Sequence, residues 1–336
     1  MKPHQNKVIQ IDSFELISGE ATGDIEVEFC LWGSSDKPLI VVMGGISATR
    51  WAIDCPLGTK AGWWNQVIND ESRLNTRDYQ FLTFEYFTFP ERVANPPVIS
   101  THDQAKLLYQ IQGKLDLPQF HTVIGSSYGG MVALAFAANF PAHIARLVCL
   151  AAADQNSIKT QALRQIQRTL IGLGERFTHD SESQKQFVSL ARSLAMVGYR
   201  GEPEWEQRFQ HGTAGKALNE VTSYLQHHGD RFAESFGASR YCQLSRSIDF
   251  HQVDVSLIEA ETLLIGLSTD QMVPVNFIQN MSEKFTHSCQ IHFIDSIYGH
   301  DGFLLEAEQI NAIFQLFFRG YDHDYIEPNR GRASRY

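Results

Sequence analysis

His121-Thr122-Val123-Ile124-Gly125-Ser126-Ser127-Tyr128-Gly129-Gly130-Met131-Val132-Ala133-Leu134-Ala135 is the stretch around which this chain is organised. A short run with β-branched residues enters glycines grouped about a serine, and an Ala/Leu-rich run of helical character leaves them. Gly125-x-Ser127-x-Gly129 reads as G-x-S-x-G, a sharp strand-to-helix turn that presents a nucleophile. A serine at such a turn takes a strained backbone conformation, so the residues two positions away must lack a Cβ. The turn lifts the hydroxyl clear of the sheet, at the positive end of the following helix. A bare G-x-S-x-G also arises as an ordinary Gly/Ser turn, but here strand, turn and helix follow in the required order. Ser127 is therefore the candidate nucleophile.

The 336 residues allow one large domain or two small ones. A hydrophobic content of 43% with 20% charged residues is that of an ordinary globular protein. The net charge of -10 argues against a nucleic-acid binder and supplies no basic patch for a membrane surface. No apolar run reaches the ~18 residues that a membrane span needs. The segment from Met1 to Asp12 is polar and lacks the apolar core of a signal peptide. Cys30, Cys55, Cys149, Cys242 and Cys289 are scattered and never in C-x-x-C spacing. That pattern points to reduced thiols in the cytoplasm, without a disulfide framework, zinc site or other bound metal.

Around the elbow, the chain alternates strands with helices. Residues 1–24 read as a leader into a sheet, and Ile25 to Trp32 as its first strand. Leu39-Ile40-Val41-Val42-Met43, Ile144 to Leu150, Thr262 to Leu267 and Gln290 to Ile294 are apolar runs suited to buried strands; Tyr79 to Phe87 reads as another. Trp51 to Asp70 is an aromatic-rich loop or short helix, and Thr101 to Leu115 is a helix that Thr101 can cap. From Asp154 to about Val255 strand patterns vanish, and helical periodicity runs through Ile158–Leu173, Gln184–Val197 and Leu218–Phe232. The fold expected is α/β, the α/β-hydrolase fold, with a mostly parallel central sheet and an inserted helical lid. Residues 1–153 and 256–320 would form its core, 154–255 the lid, and 321–336 a polar, peripheral tail.

A serine hydroxyl needs a base, and the base needs a carboxylate to orient it. In this fold they follow in the order Ser, acid, His, each in a loop after a strand. Of thirteen histidines only His287, His292, His300 and His323 lie beyond the penultimate strand. His292 falls inside a strand, His323 in the tail, and His287 before the last strand. His300 directly follows that strand and is the candidate base. Asp270, in Ser268-Thr269-Asp270-Gln271-Met272-Val273-Pro274, is the candidate carboxylate. Asp154, after an earlier strand, is the alternative, while Asp295 stands too near His300 in the chain and suits a turn. Gly44-Gly45-Ile46-Ser47 occupies the place where half an oxyanion hole is built, with the N–H groups of Ile46 and Tyr128 as donors; a plain turn is the competing reading.

Several stretches together resemble the homoserine O-acyltransferase family of methionine biosynthesis, from about Leu39 to Leu305. They are Gly62-Trp63-Trp64, Asn75-Thr76-Arg77, the elbow, Ser189-Leu190-Ala191-Arg192 with Tyr199 beyond it, Asp270 to Pro274, and Tyr298-Gly299-His300-Asp301-Gly302-Phe303-Leu304. The resemblance implies that Ser127 takes an acyl group from acyl-CoA and passes it to the homoserine hydroxyl. CoA is then a co-substrate, and no cofactor is bound. It also implies that Arg192 holds the homoserine carboxylate with Tyr199 near it, and that Asp301 binds the amino group. An amino-acid acceptor does need a guanidinium for one end and an anion for the other. The competing readings are a solvated arginine, a packing tyrosine and a helix N-cap.

Gly44-Gly45-Ile46-Ser47-Ala48 replaces the family's common H-A-L-T-G, and Ser126 and Tyr128 stand where many members have Gly and Met. This version looks like a sub-branch that includes succinyl-CoA users, which favours succinyl slightly over acetyl. Arg50 could pair a succinyl carboxylate or sit on the surface. A serine esterase or thioesterase, or the same transferase acting on L-serine or another hydroxy amine, are the rival functions; a non-catalytic binding scaffold is a further one. The family also implies a homodimer paired through the lid, for which Leu163, Ile166 and Leu170 form an apolar stripe. Nucleic-acid and membrane partners are not expected.

Overall fold

The apolar runs of the centre become strands buried on both faces, the run that ends at Ile294 becomes a part-exposed strand at one edge, and the more polar N-terminal segments complete the sheet at the other. In the computed structural model, residues 4–55, 58–93, 95–178, 180–210 and 214–319 are described. The strands are β1 (His4–Glu15), β2 (Ala21–Trp32), β3 (Leu39–Met43), β4 (Gln80–Phe84), β5 (Thr122–Ser126), β6 (Arg146–Leu150), β7 (Glu261–Leu267) and β8 (Cys289–Ile294). They form one eight-stranded sheet in the order β1-β2-β4-β3-β5-β6-β7-β8. β1 and β2 pair antiparallel, as do β2 and β4, while every pair from β4 to β8 is parallel. The mostly parallel α/β sheet expected from the pattern is thus present.

Ten helices accompany the sheet among the described residues: α1 (Thr101–Lys114), α2 (Tyr128–Asn139), α3 (Ile158–Phe177), α4 (Ser181–Tyr199), α5 (Glu202–Phe209), α6 (Ala214–Ser235), α7 (Ala238–Asp249), α8 (Val275–Ser282), α9 (Gly302–Leu305) and α10 (Ala307–Phe317). Alternate residues of the central strands feed two cores. Val41, Val123, Leu147 and Leu264 join one, and Ile40, Ile124, Val148 and Leu263 join the other. The period of two along each strand sends neighbours to opposite faces, and helices cover both. Among the described residues, the helices and strands named between β6 and β7 are the five helices α3 to α7, joined by a short 3-10 turn and an isolated bridge between Gln155 and Gln252.

Four readings need correction. The run from Gln290 to Ile294, read as a buried strand, lies at the sheet edge with Gln290 and Phe293 exposed, because only β7 pairs with it. Residues 1–24 are no mere leader, because β1 pairs along β2 in antiparallel register from His4↔Trp32 to Glu15↔Ala21. Most of β1 is exposed, so its sequence lacks the apolar alternation that marks a strand; its hydrogen-bonding partner decides the conformation. Thr101 does not cap α1. Ser100 does, with Asp103 completing a capping box, while Thr101 Oγ1 lies 2.8 Å from His251 Nδ1. The strand read as Tyr79 to Phe87 ends at Phe84, and the Glu85 carboxylate turns to meet Arg50 and Arg240. The tail 321–336 and His323 lie outside the described residues.

Candidate active site

Ser127 lies between β5 and α2 with φ 54° and ψ -120°, a left-handed conformation that a Cβ-bearing residue seldom takes. Close approach makes room for it. A Cβ on Gly125 would collide with the Gly129 carbonyl, and one on Gly129 with the Met43 carbonyl. Each glycine of the turn is required by a neighbouring backbone, although the strained residue is the serine itself.

Two more strand ends bring the partners. Ser127 Oγ lies 2.7 Å from His300 Nε2, and His300 Nδ1 lies 2.7 Å from Asp270 Oδ2. The other Asp270 oxygen accepts from the N–H groups of Met272 at 2.7 Å and Val273 at 3.0 Å. The carboxylate is therefore fixed in the orientation that meets the imidazole. Thr269 bridges the two loops, donating to the Ser296 carbonyl and accepting from the Gly299 N–H at 3.0 Å. The alternative acid, Asp154, is engaged by Lys284 at 2.6 Å, and Asp295 accepts from Ser268. Burial of the His300 ring pulls its pKa down, but the charge and hydrogen bond of Asp270, with the charge of Asp301, outweigh it. The net shift is upward from the ordinary 6.5.

The loop after β3 runs beside the nucleophile, so close that a Cβ on Gly45 would stand 3.8 Å from Ser127 Oγ. Among the described residues, the N–H groups of Ile46 and Tyr128 meet no acceptor. Ile46 lines the cleft that contains Ser127, and Tyr128 follows the serine in the chain.

A cleft of about 160 Å³ opens on Ser127 and His300, and Gly45, Ile46, Ala48, Trp63, Arg192, Tyr199, Asp301, Phe303 and Leu304 contribute to its wall. A larger open depression lined by Ile11, Tyr109 and His143 contains none of these residues. Arg192, from α4, places its guanidinium 5.1 Å from the Tyr199 ring centre and 4.8 Å from that of Phe232. Among the described residues no carboxylate pairs with it. Stacking holds the cation without neutralising it. Tyr199 in turn lies 5.7 Å from the His300 ring, and burial raises its phenol pKa. Asp301 occupies the N-cap position of α9 but makes no capping hydrogen bond; its Oδ2 lies 3.4 Å from Arg200.

Sequence reasoning passed over Arg200, Phe232 and Ile248. Arg200 touches Asp301, Phe232 supports Arg192, and Ile248 lines the cleft. Arg200 adjoins Tyr199 and could have been suspected; the other two come from α6 and α7 with no local motif.

Arg50 requires correction. Its guanidinium pairs with Glu28 at 2.8 Å and Glu85 at 3.1 Å, and donates to Asn6 at 2.8 Å. It does not line the cleft. These carboxylates on β2 and just past β4 draw it toward the sheet edge, so it is a structural tie.

A family profile described as the alpha/beta hydrolase fold matches residues 57–307. A protein named homoserine O-succinyltransferase from Xanthomonas campestris is 26% identical over 299 residues, covering 88% of this chain and 79% of its own. The crystal structure of homoserine O-acetyltransferase from Staphylococcus aureus superposes with a TM-score of 0.81 at 24% identity, covering 98% of each chain. Esterase E22 superposes with a TM-score of 0.84 at 17% identity, covering 94% of this chain and 100% of its own. At such identities the two structures speak for the fold alone.

Proposed function

This chain belongs to the alpha/beta hydrolase fold family, and on that premise we propose that it is a homoserine O-acyltransferase, moving an acyl group from CoA to the hydroxyl of L-homoserine. The reading is supported by its similarity to the Xanthomonas campestris homoserine O-succinyltransferase over 88% of the chain. The observation that carries it is Arg192, an arginine with no carboxylate partner among the described residues, held over Tyr199 in the cleft that contains Ser127. A hydrolase acting with water has no use for such a cation, whereas an amino-acid acceptor brings the carboxylate it lacks.

In the first half-reaction His300 Nε2 takes the Ser127 proton as Oγ attacks the thioester carbonyl. The Ile46 and Tyr128 N–H groups hold the developing oxyanion. Collapse breaks the carbon–sulfur bond, and His300 gives its proton to the departing CoA thiolate. In the second, homoserine binds with its carboxylate on Arg192 and Tyr199 and its ammonium on Asp301. Its hydroxyl loses a proton to His300 and attacks the acyl-serine, and the proton returns to Ser127. Acyl-CoA is a co-substrate, with no resident cofactor or metal. The donor is succinyl-CoA or acetyl-CoA. Helices α3 to α7 form the lid and pair two copies into a homodimer in the cytoplasm. No described helix is long and apolar enough to cross a membrane.

Release of CoA thiol from acetyl-CoA or succinyl-CoA, measured with and without L-homoserine or L-serine, tests this reading. Release should require homoserine. Because both steps need neutral His300, kcat/KM should fall on the acid side with an apparent pKa above 6.5, the direction of its shift. A serine requirement changes the acceptor. Equal release without any acceptor favours the esterase reading.

A further inference from the structure

Tyr86 lies just beyond β4 and takes no part in the chemistry outlined above. It is buried, and its hydroxyl donates to the Gly44 carbonyl at 2.6 Å. The same carbonyl accepts from the Gly129 N–H at 2.9 Å. Two donors on one carbonyl fix the peptide between Gly44 and Gly45, and a planar trans peptide points its N–H away from its C=O. In the next peptide the Gly45 carbonyl accepts from the Ala48 N–H at 2.9 Å, which directs the Ile46 N–H to the other side. Glycine pairs are the most permissive backbone, so this orientation comes from its partners rather than from intrinsic preference. The Tyr86 ring also meets the Tyr128 ring edge-on at 4.8 Å, and Tyr128 Oη lies 2.8 Å from Ser247 Oγ. One buried phenol thus touches the Gly44 carbonyl of the loop and the Tyr128 side chain.

We propose that Tyr86 is a positioning residue for acyl transfer: its hydroxyl, by fixing the peptide between Gly44 and Gly45, holds in place the loop whose next N–H, that of Ile46, faces the oxyanion. The inference rests on the oxyanion role given above to Ile46 and Tyr128. Burial raises the Tyr86 pKa well above 10, which keeps the phenol a donor throughout the working range. Loss of the hydroxyl leaves Gly129 still bonded to Gly44, so the carbonyl is not orphaned. The fold keeps its contacts, and the loop loses its aim.

Tyr86→Phe tests this, with p-nitrophenyl acetate as the acyl donor, because the release of nitrophenol follows acylation of Ser127 whatever the later acceptor. The rate constant for acylation should fall about 10-fold or more, given that a misplaced catalytic group costs up to ~10²-fold. KM should stay within about twofold, and the unfolding midpoint should move by no more than a few degrees. An aryl boronic acid, which forms a tetrahedral adduct on the serine, should bind more weakly by a similar factor. Acylation within about twofold of the wild type overturns the proposal. So does a parallel loss of rate, KM and midpoint, which would mark a packing role. Wild-type acylation by the nitrophenyl ester without transfer to homoserine would remove the acceptor assignment and leave the Tyr86 test intact. No acylation of the wild type at all would remove both.

Discussion

At the scale of single residues, charge placement separates a transferase from a hydrolase. Ser127, His300 and Asp270 form a chain of two 2.7 Å contacts that either chemistry could use. Arg192 is different, because aromatic rings rather than carboxylates surround its guanidinium. Arg192→Ala should therefore raise KM for the acceptor at least 10-fold and change acylation by the CoA donor little. A burst of thiol release that drops as much as the steady state would remove the carboxylate-clamp role. Arg50 and Arg192 could not be told apart by residue type. Glu28 and Glu85 on neighbouring backbone claim the first, and among the described residues no carboxylate claims the second.

At the scale of elements, local signals served best where sequence and tertiary contacts agree. The strand–elbow–helix unit from Thr122 to Asn139 combines an apolar run, two glycines with no room for a Cβ, and a helix of high propensity. Helix α1 shows a finer limit. Ser100 and Thr101 are both good caps, and Asp103 decides between them by closing the box on Ser100. Asp103 Oδ1 also accepts from the Ile17 N–H at 2.6 Å, which ties the cap to the turn after β1. Ser100→Ala should cost about 1 kcal/mol of stability, read as a lower denaturant midpoint. An unchanged midpoint would mean that Asp103 alone satisfies the helix end. Helices α5 and α7 escaped notice because α5 is short and α7 mixes polar and apolar residues; packing against the neighbouring elements defines them.

At the scale of the whole molecule, buried histidines make stability depend on pH. Burial pushes His251 down to about 3, against a bond to the Ala153 carbonyl that favours its charged form. Burial, with Arg146 and Arg73 beside it, pushes His121 down to about 4. Both stay neutral in the fold while the unfolded chain protonates below about 6.5. The unfolded state then binds more protons, so stability falls as pH drops from 6.5 toward 4, by up to about 1.4 kcal/mol per pH unit for each. His300, shifted up, acts in the other window: its contribution is full below 6.5 and is lost as pH rises through its folded value. Urea unfolding between pH 7 and 4.5 should show the decline, and His251→Gln should make it shallower. A midpoint flat across that range would contradict the buried neutral state of both rings.

The order of the strands from β2 to β8, the elbow, and the Ser, Asp and His loops could be read from the chain alone. They depend on short-range features: strand-length apolar runs, glycines at fixed offsets, and the rule that loops follow strand ends. The tertiary structure decided the rest. It made the polar segment from His4 to Glu15 an edge strand by giving it β2 to pair with. It drew Arg50 to Glu28 and Glu85 and left Arg192 among rings. It set Tyr86 against Gly44, across 42 residues of chain. A side chain's type limits what it can bond, but its partners are chosen by elements distant in sequence, and only folding brings those within reach.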